Sequence, residues 1–171
     1  LARVEGTDHS AFNLNTATGQ LSLKSQPDFE TKSVYSISVV STDAGGKSYS
    51  KAFKISISDA NDTPTITSKS ITASNEDSAY SYKFAASDVD SGDTVTYTAV
   101  TLPSWLTFDA DTGVLSGTPT NSEVGTHSVV LTATDSSGAV DTQSFTITVS
   151  NVNDTPTVTS TAVTAAKEDS A

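Results

Sequence analysis

The stretch Asp59-Ala60-Asn61-Asp62-Thr63-Pro64 returns as Asn151-Val152-Asn153-Asp154-Thr155-Pro156, and we call these the first joint (59–64) and the second joint (151–156). The offset between the two copies is 92 residues, from 59 to 151, which is about the length of one β-sandwich domain. Each copy follows a strand-like run that ends in serine, FKISIS at 53–58 and FTITVS at 145–150. The chain is therefore predicted to be a tandem repeat of β-domains connected by acidic linkers.

Composition excludes several classes of protein. The formal net charge is −11, which argues against nucleic acids and anionic membrane surfaces as partners but is compatible with a hard divalent cation. There is no cysteine, so neither disulfides nor thiolate metal sites are expected. No apolar run is long enough to insert into a membrane. Ser, Thr, Val and Asp are abundant, and this is a composition typical of β-structure.

Alternating polar and apolar residues, separated by turn signals, predict strands along the whole chain. The predicted strands of the first part are LSL (21–23), VYSISVV (34–40) and KAFKISIS (51–58). In the second part the predicted elements are two early strands in 71–88, a hairpin in 106–118, and strands at 94–100, 127–135 and 143–150. The predicted fold class is all-β, with tandem Greek-key β-sandwiches.

One complete and two truncated repeats follow from aligning FNLNTATGQLSL (12–23) with LTFDADTGVLSG (106–117). The predicted boundaries are a partial repeat at 1–60 without its first strands, a complete repeat at 61–152, and at 153–171 a linker with the first strand of a further repeat. A partial repeat would expose a sheet edge. We therefore expect more chain to cover both ends in a longer polypeptide, or else the tail at 155–171 to pair with the first repeat of another molecule.

The ordered motifs resemble cadherin-like repeats. LPSWLTFDADTGVLSGTPTNSEVGTHSVVLTATD (102–135) resembles the dystroglycan-type cadherin-like domain, which also occurs as Ig-like repeats in very large bacterial surface and secreted adhesins. FNLNTATGQL (12–21), PDFETKSVYSISVVSTD (27–43) and the first joint are more similar to an ordinary cadherin repeat. The resemblance implies cadherin-like and Ig-like β-sandwiches over nearly the whole chain.

In that family calcium ions fill the joint between successive repeats, so the resemblance also implies ligands. At the first joint the matching residues are Asp28, Glu30, Asp59, Ala60, Asn61, Asp62, Thr63, Asp88, Asp90 and Asp135. Ala60 and Thr63 are expected to contribute main-chain oxygens, and the other residues side-chain oxygens. The family glutamate that would come from early in the first repeat has no counterpart in this sequence.

Fewer residues match the family's ligands at the second joint, and they are Glu76, Glu123, Asn151, Asn153 and Asp154. Asn151 stands where the family has an aspartate, and only one carboxylate remains at 121–123. By the same logic Glu168 belongs to a third joint. We therefore expect calcium to fill the first joint more completely than the second.

Elementary electrostatics supports calcium at the first joint. Its seven carboxylates would repel one another, by about 1 kcal/mol for each pair at 4 Å in water, unless a cation lies among them. All the donors are oxygens, which suits Ca²⁺ better than Zn²⁺, whose usual ligands are His and Cys. Turn preference alone would also place Asp, Asn and Pro at a junction. The acidic residues at 28, 30, 88 and 90 therefore carry the calcium hypothesis.

The function implied by the resemblance is that of calcium-rigidified extender or adhesion repeats in a large extracellular bacterial protein, secreted or held at the cell surface. The expected partners are neighbouring repeats of the same chain, and a surface glycan or a partner adhesin. Two alternatives stay open, which are a carbohydrate- or partner-binding module and an accessory domain of a secreted hydrolase.

Other side chains give weaker signals, and we predict that the protein is not an enzyme. A Ser-His-Asp hydrolase would need a positioned serine, an oxyanion hole and a cleft, and serine is so common in this chain that His127 beside Ser128 is expected by chance. Trp105 and Phe108 are expected to cap the core, with sugar stacking on Trp105 as the alternative. Tyr80, Tyr82 and Tyr97 are expected to pack in the core or at its rim, an exposed aromatic face being the alternative.

Overall fold

The computed structural model describes residues 2–165 and residue 168 of the 171-residue chain. In that part of the chain the regular structure consists of fourteen β-strands and two short 3₁₀ turns, without an α-helix. The strands, in chain order, are β1 (Ala2–Glu5), β2 (Phe12–Leu14), β3 (Leu21–Leu23), β4 (Val34–Thr42), β5 (Ser48–Ser56), β6 (Thr65–Ile66), β7 (Ala73–Asn75), β8 (Tyr80–Lys83), β9 (Ala86–Ser87), β10 (Thr96–Thr101), β11 (Leu106–Asp109), β12 (Val114–Gly117), β13 (Gly125–Thr134) and β14 (Val140–Ser150). The 3₁₀ turns are His9–Ala11 and Asn121–Glu123. The predicted all-β class is confirmed.

The predicted strands are present, but β14 begins at Val140, three residues before the pattern predicts, and β1 has no predicted counterpart. A turn explains a similar shift at β5. β5 begins at Ser48, three residues before the alternation predicts. Asp43 N–H donates to Lys47 O at 3.0 Å, and Lys47 N–H donates to Asp43 Oδ1 at 2.9 Å. Because this tight turn brings Thr42 opposite Ser48, the strand starts directly after the turn.

Two compact units make up the chain. Unit 1 is formed by Leu1–Thr67, Ala86–Thr96 and Ala133–Asp141, and unit 2 by Ser68–Ala85, Tyr97–Thr132 and Thr142–Ala171. Three segments of the second predicted repeat, 61–67, 86–96 and 133–141, thus belong to unit 1, so the repeat boundaries at 60 and 152 remain a prediction from sequence. Between 151 and 165 no strand is formed. The predicted strand of a further repeat falls partly on residues outside the described ones, namely 166, 167 and 169–171.

Unit 1 contains an antiparallel three-stranded sheet in the order β1-β4-β5. Two short antiparallel pairs, β2·β3 and β6·β9, accompany this sheet. The buried apolar side chains of the unit include Phe12, Ile37 and Val40, and Tyr35 packs edge-on against Phe12 with 5.6 Å between ring centroids. β5 lies at the edge of the sheet and is exposed along nearly its whole length.

Unit 2 contains the larger core. Its strands belong to a four-stranded sheet in the order β10-β13-β14-β7 and a three-stranded sheet in the order β11-β12-β8. β7 pairs with β14 in parallel. The apolar side chains with no exposed surface include Phe84, Leu115, Leu131 and Ile147. Phe84 packs edge-on against Tyr97 and Phe108, at centroid distances of 5.1 and 6.3 Å, so this aromatic cluster anchors the core.

The β2–β3 and β11–β12 hairpins turn in the same way. The side chain of Asn15 in the first and of Asp109 in the second accepts hydrogen bonds from backbone N–H groups two and three residues later, at 3.0–3.2 Å. A glycine with positive φ then closes each turn, Gly19 at 75° and Gly113 at 69°. This shared geometry supports the alignment of 12–23 with 106–117.

Candidate metal centre

Four loop segments of unit 1 bring most of the predicted first-joint ligands into one region. They are 24–33 between β3 and β4, 57–64 after β5, 88–95 after β9, and 135–139 between β13 and β14. Asp62 N–H donates to Asp90 Oδ2 at 2.8 Å, and Asn61 Nδ2 donates to Asp135 Oδ2 at 2.9 Å. Both hydrogen bonds tie the first joint to loops that lie much later in the chain.

A first set of carboxylates, which we call the Glu30 group, consists of Glu30, Asp59 and Asp90. One carboxylate oxygen of each lies within 4.8 Å of the other two. A backbone hydrogen bond lowers the pKa of Glu30, but burial and the negative charges of Asp59 and Asp62 outweigh it and hold the pKa above its usual value. Negative charge is thus concentrated here, and a cation among these oxygens would relieve it.

A second set, which we call the Asp93 group, consists of Asp88, Asp90 and Asp93. One carboxylate oxygen of each lies within 4.8 Å of the other two, and all three residues are half-buried. In each residue one oxygen is buried without a hydrogen-bond partner, namely Asp88 Oδ2, Asp90 Oδ1 and Asp93 Oδ2. Asp90 belongs to both groups, so the two groups are adjacent.

Two predicted carboxylate ligands are instead engaged by protein donors. Asp28 accepts hydrogen bonds from Thr31 N–H at 3.0 Å and Thr31 Oγ1 at 2.8 Å, and these lower the pKa of Asp28. Asp135 is only 5% exposed, yet the hydrogen bond from Asn61 lowers the pKa of Asp135 against the effect of burial, helped by N–H groups of 137–139. Among the described residues neither carboxylate belongs to a group of three. Ala60 and Thr63 lie exposed in the linker.

Asp93 is the member of these groups that sequence reasoning missed. It closes the run Asp88-Val89-Asp90-Ser91-Gly92-Asp93, in which Gly92 has a φ of 98° and Asp93 N–H donates to Asp90 O at 3.2 Å. The sequence signal that could have identified Asp93 is its position as a third acidic residue directly after the turn glycine Gly92. Loop glycines that reverse the backbone allow carboxylates close in sequence to converge.

The second joint is built around Glu76, which is 1% exposed. Glu76 Oε1 accepts hydrogen bonds from Asn151 Nδ2 at 2.7 Å and from Val152 N–H, whereas Oε2 is buried without a partner. Asn121 Nδ2 donates to Asp154 Oδ2. Amide hydrogens therefore lie beside the carboxylates of this joint.

Glu123 and Asn153 have local roles at the second joint. Glu123 Oε2 accepts hydrogen bonds from Thr120 N–H at 2.8 Å and Thr120 Oγ1 at 2.7 Å. These bonds close a capping box on the 3₁₀ turn and lower the pKa of Glu123. Asn153 Nδ2 donates to Asp154 O at 3.4 Å. Within the described residues this joint has no group of three carboxylates like those at the first.

The donors at the first joint fit a hard divalent cation such as Ca²⁺. Among the described residues five side-chain atoms are buried without a partner, and three of these are carboxylate oxygens of the Asp93 group. Such oxygens are costly to bury unless a donor or a cation compensates them. Both histidines are engaged elsewhere, His9 with Gly6 O at 2.8 Å and His127 with Glu123 O at 2.6 Å, so the donors gathered here are oxygens.

The aromatic side chains singled out in the sequence pack inside unit 2. Tyr80 and Tyr82 are 4% and 3% exposed, and burial, with a smaller contribution from Tyr82, raises the pKa of Tyr80 to about 12. Trp105 is half-buried and lies edge-on to Tyr80 and His127, both at 5.8 Å between centroids. This packing is that of a core cap, which favours the structural role of Trp105 over sugar stacking.

Comparison with known families identifies the domain. A family model described as "Putative Ig domain" matches residues 63–150, just over half of the chain. The chain belongs to the Putative Ig domain family. All of the Asp93 group lies inside the Ig-domain match, whereas Glu30 and Asp59 precede it.

Similar sequences are found in staphylococcal adhesins. The "Serine-rich adhesin for platelets" of Staphylococcus aureus strain MRSA252 is 36% identical over 109 residues, covering 64% of this chain and 8% of the adhesin. The adhesin of the same name from strain MW2 is also 36% identical over 109 residues, which are 5% of its length. The Ig-domain chain thus spans less than a tenth of the curated relatives that it matches.

Solved structures of cadherins have a similar fold. Human protocadherin-24 EC1-2 superimposes with a TM-score of 0.62 at 19% identity, covering 90% of this chain and 82% of that one. Extracellular cadherin domains 1–4 of protocadherin gamma B7 give a TM-score of 0.59 at 20% identity, covering 90% and 42%. At sequence identities of 19–20% the structural similarity is evidence for a shared fold alone. The resemblance to cadherin-like and Ig-like repeats of bacterial adhesins is confirmed, and the dystroglycan type remains a prediction.

These relatives are adhesins and cadherin domains rather than enzymes. Across the described part of the Ig-domain chain, no helix has the length and hydropathy needed to cross a bilayer.

Proposed function

We propose that this chain is an extender segment of a large bacterial surface adhesin, made rigid by calcium bound at the first joint. Membership of the Ig-domain family and the similarity to staphylococcal adhesins support the adhesin part of the proposal. The cadherin-like fold supports an arrangement in repeats. The chain would then act outside the cell, secreted or at the surface, with neighbouring repeats as its first partners.

The observation that carries the calcium part is the Glu30 group. Glu30 comes from the loop before β4, Asp59 from the linker after β5, and Asp90 from the loop after β9, yet their oxygens lie within 4.8 Å of one another. Two like charges at 4 Å near a protein surface repel by about 4 kcal/mol. Calcium would supply the compensating positive charge.

Rigidity follows from where these residues sit in the chain. Glu30 belongs to the first repeat of the sequence, Asp59 to the linker and Asp90 to the second repeat. A calcium ion shared by these three residues would stay bound only while the first repeat, the linker and the second repeat keep the same relative positions. Movement of the linker would therefore cost binding free energy, and the linker becomes stiff.

A carbohydrate- or partner-binding module is the second candidate function. The specific observation in its favour is the edge strand β5, on which Tyr49 is 73% and Phe53 39% exposed, with the Lys51 ammonium 5.4 Å from the Phe53 ring centroid. Exposed aromatic residues on one strand could contact a surface glycan or a partner adhesin. Tyr49→Ala would test this candidate, because it should abolish binding on a glycan array.

Calcium removal tests the main proposal. Saturating Ca²⁺, at about 10–100 times its Kd, should stabilise the chain by about 1–3 kcal/mol over the chelated form and raise its Tm. It should also slow proteolysis within 59–64. Asp90→Asn should lose both effects, since Asp90 belongs to both carboxylate groups.

Asp111→Asn is the matched control, because Asp111 is an exposed aspartate in the β11–β12 turn. It should respond to calcium like the unmodified protein. The proposal is wrong if chelation changes neither the Tm nor the rate of cleavage.

A further inference from the structure

The outer edge of β14, on the side away from β13, is covered by the stretch that follows the first joint. β7 pairs with β14 in parallel, with Ala73 opposite Thr148. Earlier in the same stretch, Ser68 O accepts a hydrogen bond from Gln143 Nε2 at 2.9 Å. Both pairs are 75 residues apart, so the stretch runs along β14 in one parallel register.

β5 is the counterpart of β14, and its outer edge is open. The two strands begin 92 residues apart, at Ser48 and Val140, and FKISIS (53–58) aligns with FTITVS (145–150). In the described part of the chain, β4 is the only strand that pairs with β5. The other side of β5 therefore presents a row of backbone N–H and C=O groups with no strand beside it, which is a template for another strand.

The counterpart of the covering stretch is also without a partner strand. The 92-residue offset relates TITSKSITA (65–73) to TVTSTAVTA (157–165), which we call the tail segment. The tail segment forms no strand, and all its residues are exposed. Ile66 is half-buried, whereas its counterpart Val158 is 89% exposed. The tail segment thus exposes apolar surface in a sequence of Thr and Val that favours β-structure.

We propose that the tail segment of one copy pairs in parallel with the outer edge of β5 in a second copy. The register at β14 then places Ala165 opposite Ser56 and Val158 beside Tyr49, which is 73% exposed. Because each contact uses two different surfaces, it joins chains head to tail into rings or open filaments. This assembly goes beyond the extender function proposed above and does not depend on calcium.

Lys51 offers a hydrogen-bond donor at the position where unit 2 uses Gln143. The amide of Gln143 donates to Ser68 O, and the same register places Ser160 O beside Lys51. The Lys51 ammonium can therefore take the place of the Gln143 amide.

The charge of β5 selects the tail segment over a second copy of β5. Lys47, Lys51 and Lys54 lie in or next to β5, and 44–58 contains no acidic residue. Two β5 strands side by side would bring these like charges together. The tail segment carries no charge, so it meets no such repulsion.

The experiment is disulfide cross-linking, which is specific because the chain has no cysteine of its own. A Ser56→Cys chain mixed with an Ala165→Cys chain should form a mixed disulfide-linked dimer under mild oxidation, since opposite residues of paired strands are within reach of a disulfide. Mass spectrometry of the linked peptides identifies this dimer. Ala73→Cys with Thr148→Cys in one chain is the positive control, because these residues already lie opposite each other.

Thr161→Cys is the matched control for Ala165→Cys. Both residues are exposed in the tail segment, but Thr161 lies four residues, or about 13 Å, away along an extended strand. Mixed with Ser56→Cys, it should give little or no linked dimer.

Sedimentation equilibrium tests the same contact without cross-linking. The mean mass of the unmodified chain should rise with protein concentration, both in chelator and in Ca²⁺. Val158→Lys should abolish the rise, because it brings a second cation to Tyr49 and Lys51. Val100→Lys changes an exposed valine on β10 and should leave the rise intact.

Three results would overturn the proposal. One is the absence of a mixed dimer while the positive control cross-links. Another is an equal yield from Thr161→Cys and Ala165→Cys, which would mean that no register is selected. The last is a chain that stays monomeric at every concentration. Each of these leaves the calcium-dependent stability of the single chain untouched, so the extender function is judged separately.

Discussion

At the scale of single residues, the main difference between the two joints is that the first begins with a carboxylate, Asp59, and the second with an amide, Asn151. Asp59 belongs to the Glu30 group, whereas its counterpart Asn151 donates its amide hydrogen to Glu76. The amide of Asn151 donates a hydrogen bond to the buried carboxylate and so stabilises its negative charge. A bound cation therefore contributes less to stability at such a position. This difference supports the expectation that the first joint depends on calcium more than the second.

Another carboxylate of unit 1 is compensated within the protein. Asp8 forms an ion pair with Lys32, and its Oδ2 accepts a hydrogen bond from Ser36 N–H at 2.7 Å. The hydrogen bond from Lys32, followed by that from Ser36, lowers the pKa of Asp8. Because the folded-state pKa is lowered, the contribution to stability is present above the unfolded value of about 3.9 and disappears as the pH falls through the folded value.

Asp8→Asn should therefore lower the Tm at pH 7, and the difference from the unmodified protein should shrink as the pH falls below about 4. Glu5→Gln is the control, since the Arg3–Glu5 pair is about half exposed at both ends and should contribute little. Thermal melts of the chelated protein across this pH range measure both effects. A difference between Asp8→Asn and the unmodified protein that stays constant with pH would contradict the argument.

At the scale of elements, the two similar hairpins provide a matched pair of glycines. Gly19 and Gly113 both have positive φ, so a side chain is strained at either position. A Cβ on Gly113 would lie 2.6 Å from Phe84 O, whereas one on Gly19 would have no atom within 4 Å. The hairpin β11–β12 therefore packs tightly on the chain after β8, and β2–β3 has open space at the same point.

Gly19→Ala should destabilise its hairpin by about 1 kcal/mol through backbone strain, and Gly113→Ala by about 2 kcal/mol or more, because the collision with Phe84 O is added. Because the two glycines lie in different units, the effect of each should be followed locally. Hydrogen exchange of the Ser22 and Ser116 amides, which lie opposite Asn13 and Thr107, measures the two hairpins separately. Equal losses of protection would mean that packing against Phe84 contributes nothing.

At the scale of the whole molecule, the high net negative charge makes the stability of the fold depend on bound cations and on salt. Twenty acidic and nine basic residues leave a formal charge of −11, and much of the excess is concentrated in the carboxylate groups of the first joint. Self-repulsion of that size opposes the compact state, and both bound cations and screening salt reduce it.

The chelated protein should consequently gain stability when NaCl rises from about 0.01 M to 0.15 M, a range over which the Debye length falls from about 30 Å to about 8 Å. We expect its Tm to rise by about 2–5 °C, equivalent to about 1 kcal/mol. With saturating Ca²⁺ the same change in salt should matter less, because the densest negative charge is already compensated. Calorimetric melts under the four conditions would contradict this if the salt effect were independent of calcium.

The sequence by itself determined the β-class, the 92-residue repeat and the turns, because these depend on patterns between near neighbours. Alternation with period two predicts strands, and the dipeptides Thr18-Gly19 and Thr112-Gly113 predict turns, in which the structure gives both glycines a positive φ. The acidic residues of the first joint could be found as candidates in the same way.

Only the tertiary structure decided which carboxylates meet. It engages Asp28 with Thr31 and Asp135 with Asn61, and it adds Asp93, whose Oδ1 accepts a hydrogen bond from Ser136, 43 residues later in the chain. The physical reason is that a carboxylate is compensated by whichever hydrogen-bond donor lies nearest in space, and where no donor is near it is left beside other carboxylates. That choice depends on how distant loops pack together, which spacing along the chain does not encode.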